Sequence, residues 1–148
     1  PDRFEPGTPN IPGILGLHAA LSDLEKTSME ESFQHEMKLT QEFIDGIQAL
    51  DPFEKNIRII GKKNTTDRCA VVSLQTLQPD MSMVAYELDS TYSIMTRVGL
   101  HCAPSAHKTL GTYPEGTIRF SFGPENTHHE VDLALHALAE ITGSPYHL

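Results

Sequence analysis

The sequence predicts an α+β fold, with helices packed on one face of a small, mostly antiparallel sheet. Two observations predict it. Helical stripes and short strand-like runs follow one another along the chain, with no internal repeat and no low-complexity tract. The clearest strand, Thr117 to Phe122, sets Ile118, Phe120 and Phe122 against Thr117, Arg119 and Ser121. Successive strand side chains point to opposite faces, so this is the pattern of a sheet covered on one side, with Arg119 projecting from the other.

Residues 1–9 form an extended, proline-rich lead-in. Asn10 can cap a helix with Pro12 in its first turn, where a missing N–H does no harm. Ile14, Leu17, Leu21 and Leu24 then make a helical stripe. Ser28 and Glu31 form an S-x-x-E capping box for a second helix through Met29, Phe33, Met37, Ile44, Ile47 and Leu50, ended by Pro52. Strands are predicted at Asn56 to Ile60 and at Arg68 to Leu77, around the run CAVVSL. Pro79 and Asp80 open a helix with Met81, Val84, Ala85 and Leu88 on one face. A short strand at Ile94 to Val98 leads into a loop holding Cys102, a short helix follows, and then comes the Arg119 strand. Thr127 with Glu130 caps a last helix through Val131, Ala134, Leu135, Leu138 and Ile141. A boundary is expected near Glu25 to Ser28, where one stripe ends and a new cap begins. It divides a segment 1–27 from a domain 28–148.

Composition excludes several functions. Eleven basic residues against twenty acidic ones give a net charge of −9, which argues against nucleic-acid and anionic-membrane partners. No apolar run approaches the ~20 residues of a membrane span. Two cysteines are too few for a disulfide framework or a cysteine zinc site, so a reduced, cytoplasmic setting is the default. Cys69 reads as a small residue within a strand, and nothing in the pattern supports a bond between it and Cys102. The eight histidines show no metal-ligand spacing. His128 and His129 diverge by about 100° on a helix, and His129 and His136 lie two turns apart. His107 and Lys108 are expected to face solvent.

Two sequence segments carry more. From Arg97 to Gly123 the chain reads RVGLHCAPSAHKTLGTYPEGTIRFSFG, a cysteine in a loop followed by an arginine fixed on a strand. A planar guanidinium on a rigid element suits a carboxylate, because its fork meets both oxygens. Thiol and clamp together suggest chemistry on an amino acid. The N-terminal RFEPGTPNIPGILGLHAAL, the loop RVGLHCAP, the strand TIRFSFG and the following NTHHEVD resemble, in that order, the C-terminal part of the cysteine desulfurases. Those are pyridoxal-phosphate enzymes of the class V aminotransferase superfamily, closely related to selenocysteine lyases.

The resemblance implies a small C-terminal domain of a fold-type I enzyme, with residues 1–27 as the bridge from the cofactor-binding domain. It implies that Cys102 is the nucleophile that takes sulfur from L-cysteine, or selenium from L-selenocysteine, leaving alanine. It implies that Arg119 binds the substrate carboxylate, with Arg97 facing the same pocket. Gly7 and Thr8 would reach the phosphate of the partner subunit's cofactor, which requires a homodimer, and a sulfur-acceptor protein could follow. The Schiff-base lysine lies upstream of FEPGTPN in that family. Lys62 and Lys63 fall in a polar turn and match no such site, so the chain is expected to be an inactive C-terminal fragment. Two other readings stay open: a class V aminotransferase or lyase without persulfide chemistry, and a stand-alone, non-catalytic interaction module.

Overall fold

A computed structural model describes Phe4 and residues 7–51, 54–77 and 80–143. Most of the lead-in, and the two prolines Pro52 and Pro79 expected to punctuate helices, lie outside the described residues. Two compact units are present, Pro1–Gln34 and His35–Leu148.

The first unit holds helix α1 (Ile11–Leu24). Asn10 caps it by accepting the Gly13 N–H at 3.1 Å, as a short polar side chain at this position should. The stripe Ile14, Leu17, Leu21 and Leu24 is exposed along its whole length. Helix α2 (Met29–Leu50) begins as predicted, with the Glu31 N–H donated to Ser28 Oγ at 3.3 Å. Its first two apolar positions, Met29 and Phe33, are exposed. Burial starts at Met37 and runs through Leu39, Phe43, Ile44, Ile47 and Leu50.

In the second unit, β1 (Ile57–Ile60), β2 (Val71–Thr76), β3 (Arg97–Gly99) and β4 (Thr117–Ser121) form one open sheet in the order β1-β2-β4-β3. Every pairing is antiparallel. Helices α3 (Met81–Tyr92) and α5 (His128–Thr142) join the buried part of α2 against one face, and α4 (Pro104–Leu110) follows the cysteine loop. The sheet contributes Ile57, Ile59, Val72, Leu74, Ile118 and Phe120 to this core. Each such side chain contributes about 1.5–3 kcal/mol by leaving water. Phe43 sits between two rings of the arginine strand and its extension, 4.8 Å from Phe120 and 5.3 Å from Phe122. The opposite face carries Arg58, Ser73, Gln75, Arg119 and Arg97.

Helices α2 and α5 approach closely at Gly46, where a Cβ would lie 2.2 Å from Leu135 Cδ1. The expected strand over Arg68 to Leu77 is shorter at its start because Arg68 is used to close the preceding loop. Its Nη1 donates to the Lys62 and Asn64 carbonyls at 2.7 and 3.2 Å, and its Nη2 to the Val71 carbonyl. Cys69 is therefore an exposed loop residue, not the sheet residue the alternation suggested.

Two features lend themselves to measurement. Asp51 is buried at the end of α2, and Oδ2 accepts the Asn56 and Ile57 N–H groups at 2.5 and 2.9 Å. Burial pushes its carboxyl up, but the backbone N–H groups of Asn56, Ile57 and Lys55, with the Lys55 charge, outweigh that and leave it below the ordinary value of 3.8. A depressed carboxyl contributes stability that is complete above the unfolded value and is lost as pH falls through the folded one. Asp51→Ala should thus cost about 2 kcal/mol at neutral pH. That cost should shrink progressively in acid, as urea unfolding at neutral and low pH would show.

Gly116, just before β4, has φ +84°, and a Cβ there would lie 2.2 Å from the Gly99 carbonyl oxygen. Both the backbone conformation and the contact with β3 require glycine. Gly116→Ala should cost about 3 kcal/mol in thermal or urea unfolding, because a backbone atom cannot swing aside.

Candidate functional site

β4 brings the predicted residues together. Arg119 is central in the strand, and its antiparallel neighbours are Ser73 on β2 and Arg97 on β3. The two arginines are thus directly opposite each other on one face of the sheet. Like charges so placed repel, and each costs solvation if it is drawn from water. None of the ion pairs among the described residues involves an arginine. Arg119 is partly buried and its Nε has no hydrogen-bond partner among the described residues, while Arg97 is exposed on the edge strand. A protein of net charge −9 has many carboxylates with which to neutralise such a pair, yet among the described residues none forms an ion pair with either arginine. The arrangement suits an anion from outside the unit, and a carboxylate matches the fork geometry.

The cysteine loop leaves the end of β3, where Gly99 pairs with Thr117 at the start of β4. After Gly99, with φ 110°, the chain turns through His101 (φ 49°) and Cys102 (φ 59°), and the Ala103 N–H closes the turn onto the Leu100 carbonyl at 2.8 Å. Cys102 is exposed and unpaired. His101 reaches from the loop to the arginine strand: its Nε2 lies 3.1 Å from the Thr117 carbonyl and 3.2 Å from Thr117 Oγ1. Burial first, and then the Arg119 charge, hold the His101 imidazole below the usual histidine range; the Thr117 carbonyl opposes this, and His107 and Arg97 add to it.

His107 departs from the expectation. It is buried on α4, where its Nδ1 lies 2.7 Å from Oγ1 of the fully buried Thr112. Its ring centre is 5.9 Å from that of His101. Lys108 beside it does face solvent, over the Tyr113 ring. Gly7 and Thr8 belong to the first unit, exposed before α1 and lining a shallow pocket with Pro9, Asn10 and Ile14. Among the described residues, the first turn of α1 leaves no N–H group free for an anion. Ile11 donates to the Pro9 carbonyl, Pro12 has no N–H, and Gly13 is taken by Asn10. What remains for an anion is the Thr8 hydroxyl and the positive end of the helix dipole. Lys62 and Lys63 point to Thr66, Asp67 and Glu54, remote in sequence from the arginine strand.

An open antiparallel sheet backed by helices, with a thiol turn and two facing arginines, defines a class of domain rather than a single protein. The family model for aminotransferase class-V matches residues 1–134, and the chain belongs to that family. It is 35% identical over 144 residues to a probable cysteine desulfurase of Pyrococcus abyssi, spanning 97% of this chain and 34% of that protein. A probable cysteine desulfurase of Methanothermobacter thermautotrophicus is 33% identical over the same share of each. Among solved structures, the apo cysteine desulfurase of Thermococcus onnurineus superposes with a TM-score of 0.84 at 34% identity, over 97% of this chain and 34% of that one. A cysteine desulfurase of Escherichia coli, in an S-sulfonic acid form, gives 0.73 at 26% identity, over 95% and 33%. The chain therefore spans about a third of the length of the relatives it matches. Among the described residues, no helix is long and apolar enough to cross a membrane.

Proposed function

We propose that this chain is the C-terminal part of a pyridoxal-phosphate-dependent cysteine desulfurase, and that residues 28–148 form its small domain after a bridging segment 1–27. The facing pair Arg97 and Arg119, next to a cysteine turn, is the observation that carries the proposal. It supplies a site for an amino acid's carboxylate within reach of a loop that presents a thiol. The similarity to named cysteine desulfurases over nearly the whole chain supports the same reading.

The residues present fit the cofactor at one point and its substrate at another. The exposed Thr8 hydroxyl, beside Gly7 and the positive end of α1, is a donor for a phosphate, contributed in this proposal to the partner subunit of a homodimer. Arg119, with its unpaired Nε, fits the carboxylate of the cofactor-held substrate. When bound, pyridoxal phosphate supplies an electron sink that loosens bonds at the amino acid's Cα and Cβ.

The chain's own residues then act as follows. Arg119 grips both carboxylate oxygens, and Arg97 adds charge from the edge strand, so the substrate's orientation is fixed from one end. Cys102 Sγ, as thiolate, attacks the substrate sulfur. An S–S bond forms, the substrate C–S bond breaks, and its electron pair stays with the three-carbon fragment, which is protonated and leaves as alanine. Cys102 is left as a persulfide, ready for transfer to a sulfur-acceptor protein. L-Selenocysteine would follow the same course. Two exposed, unpaired thiols suit a reducing, cytoplasmic compartment.

The test uses the intact protein loaded with cofactor. Incubation with L-cysteine and no acceptor should yield alanine together with a peptide spanning Cys102 that carries one extra sulfur atom. Alanine without added mass on that peptide would overturn the assignment of Cys102. Transamination of cysteine without alanine would favour a class V aminotransferase instead.

A further inference from the structure

The turn that presents Cys102 is an unusual use of its residues. Leu100 to Ala103 is closed by the 2.8 Å bond from the Ala103 N–H, and both central residues have positive φ. That is the backbone pattern of a type I′ turn, which sequences normally fill with Asn-Gly or Gly-Gly because a Cβ is disfavoured at each centre. Here the centres are His101 and Cys102. Side chains held in this region are strained and persist only where the surroundings over-determine them.

His101 supplies that determination. A backbone carbonyl only accepts, so His101 Nε2 carries the proton and donates to the Thr117 carbonyl, sharing it with Thr117 Oγ1. Thr117 is buried, opens β4, pairs with Gly99 across the sheet and lies two residues before Arg119 on the same face. The imidazole also lies against the His107 ring, 5.9 Å between centres, itself buried and held by Thr112. The ring is therefore fixed by a hydrogen bond at its tip and by a second, immobilised ring.

Resting on the desulfurase reading for its catalytic consequence, we infer that His101 is a positioning residue: it pins the strained cysteine turn to the first residue of the arginine strand, so that the Cys102 thiol is held in register with the carboxylate site. The function of the histidine is the anchor and not proton transfer. The residue that replaces it must donate an N–H at similar reach, and need not titrate.

This distinguishes two variants of the intact protein, His101→Ala and His101→Gln, the latter keeping an amide N–H of nearly the same reach. The first readout is independent of activity: hydrogen exchange of the Ala103 amide, whose bond closes the turn. Exchange should rise about tenfold in the alanine variant, the loss expected of one anchoring hydrogen bond, and return to within about threefold of wild type with glutamine. In turnover, the alanine variant should lose about tenfold in kcat for sulfur transfer with KM for L-cysteine unchanged, since Arg119 still binds substrate, and glutamine should restore it. Unchanged exchange in the alanine variant, or a glutamine variant as impaired as alanine in both readouts, overturns the inference. If the wild-type protein releases no sulfur, the desulfurase reading fails, while the exchange result still decides the anchor.

Discussion

Cys102→Ala in the intact, cofactor-loaded protein is expected to reduce sulfur release from L-cysteine by at least about a thousandfold. The thiol is the only group in the proposed sequence that forms a bond to the departing sulfur, so no partial function survives its removal. Substrate binding should persist, because Arg119 is on a strand buried against the core and does not depend on the loop side chain. The variant should therefore still bind L-cysteine, read as a perturbation of the cofactor's absorbance, while sulfide and alanine formation fall to background. Cys69→Ala is the matched control. Cys69 is also exposed and unpaired, but it sits in the loop closed by Arg68, just before β2. Its replacement should leave turnover within about twofold. Full activity in Cys102→Ala would remove this residue from the chemistry and leave the carboxylate site to some other reaction of the class V family.

Much of the fold could be read from local signals. The capping box at Thr127 and Glu130 is present in full, and Asn10 and Asp80 cap the helices that follow them. The alternation in β4 separated core residues from Arg119 correctly, because a period of two leaves little ambiguity when one face is apolar. The limits were non-local. Leu39 and Phe43 are fully buried yet fell off the predicted stripe of α2, since a long helix under a twisted sheet buries more than a single narrow line. The polar-looking pair His107 and Lys108 gave no hint that one member is buried against Thr112, a partner five residues on with no strong motif. Cys69 followed the alternation of β2 but precedes it, because Arg68 has a use for its guanidinium in closing the loop.

The site was legible as a set of residues and not as a geometry. Cys102 and Arg119 were singled out by residue type and by resemblance. That Arg97 stands directly opposite Arg119 depends on strand register, which no short-range pattern in a three-residue edge strand specifies. The His101 anchor depends on the same register, since it is the pairing of Gly99 with Thr117 that brings the turn to the head of β4.

That register makes the second large effect predictable. Arg119→Leu is expected to lower kcat/KM for L-cysteine by about two orders of magnitude, the equivalent of about 3 kcal/mol for a charge-assisted, two-point contact. Two features set the size. Arg119 is the partly buried member of the pair, so its contact to a carboxylate is shielded from water, whereas Arg97 on the exposed edge is screened. The sheet also fixes the guanidinium plane, so the loss includes orientation as well as affinity. Arg97→Leu should accordingly cost much less, about tenfold. Arg119→Lys should fall between, because an ammonium keeps the charge but loses the fork. The discriminating measurement uses cysteamine, which has the thiol and the amine but no carboxylate. Wild-type protein should prefer L-cysteine strongly, and Arg119→Leu should lose most of that preference by failing on cysteine alone. A variant in which both substrates decline in parallel would show that Arg119 supports the strand and its neighbours, and the carboxylate contact would have to be sought elsewhere on the open face.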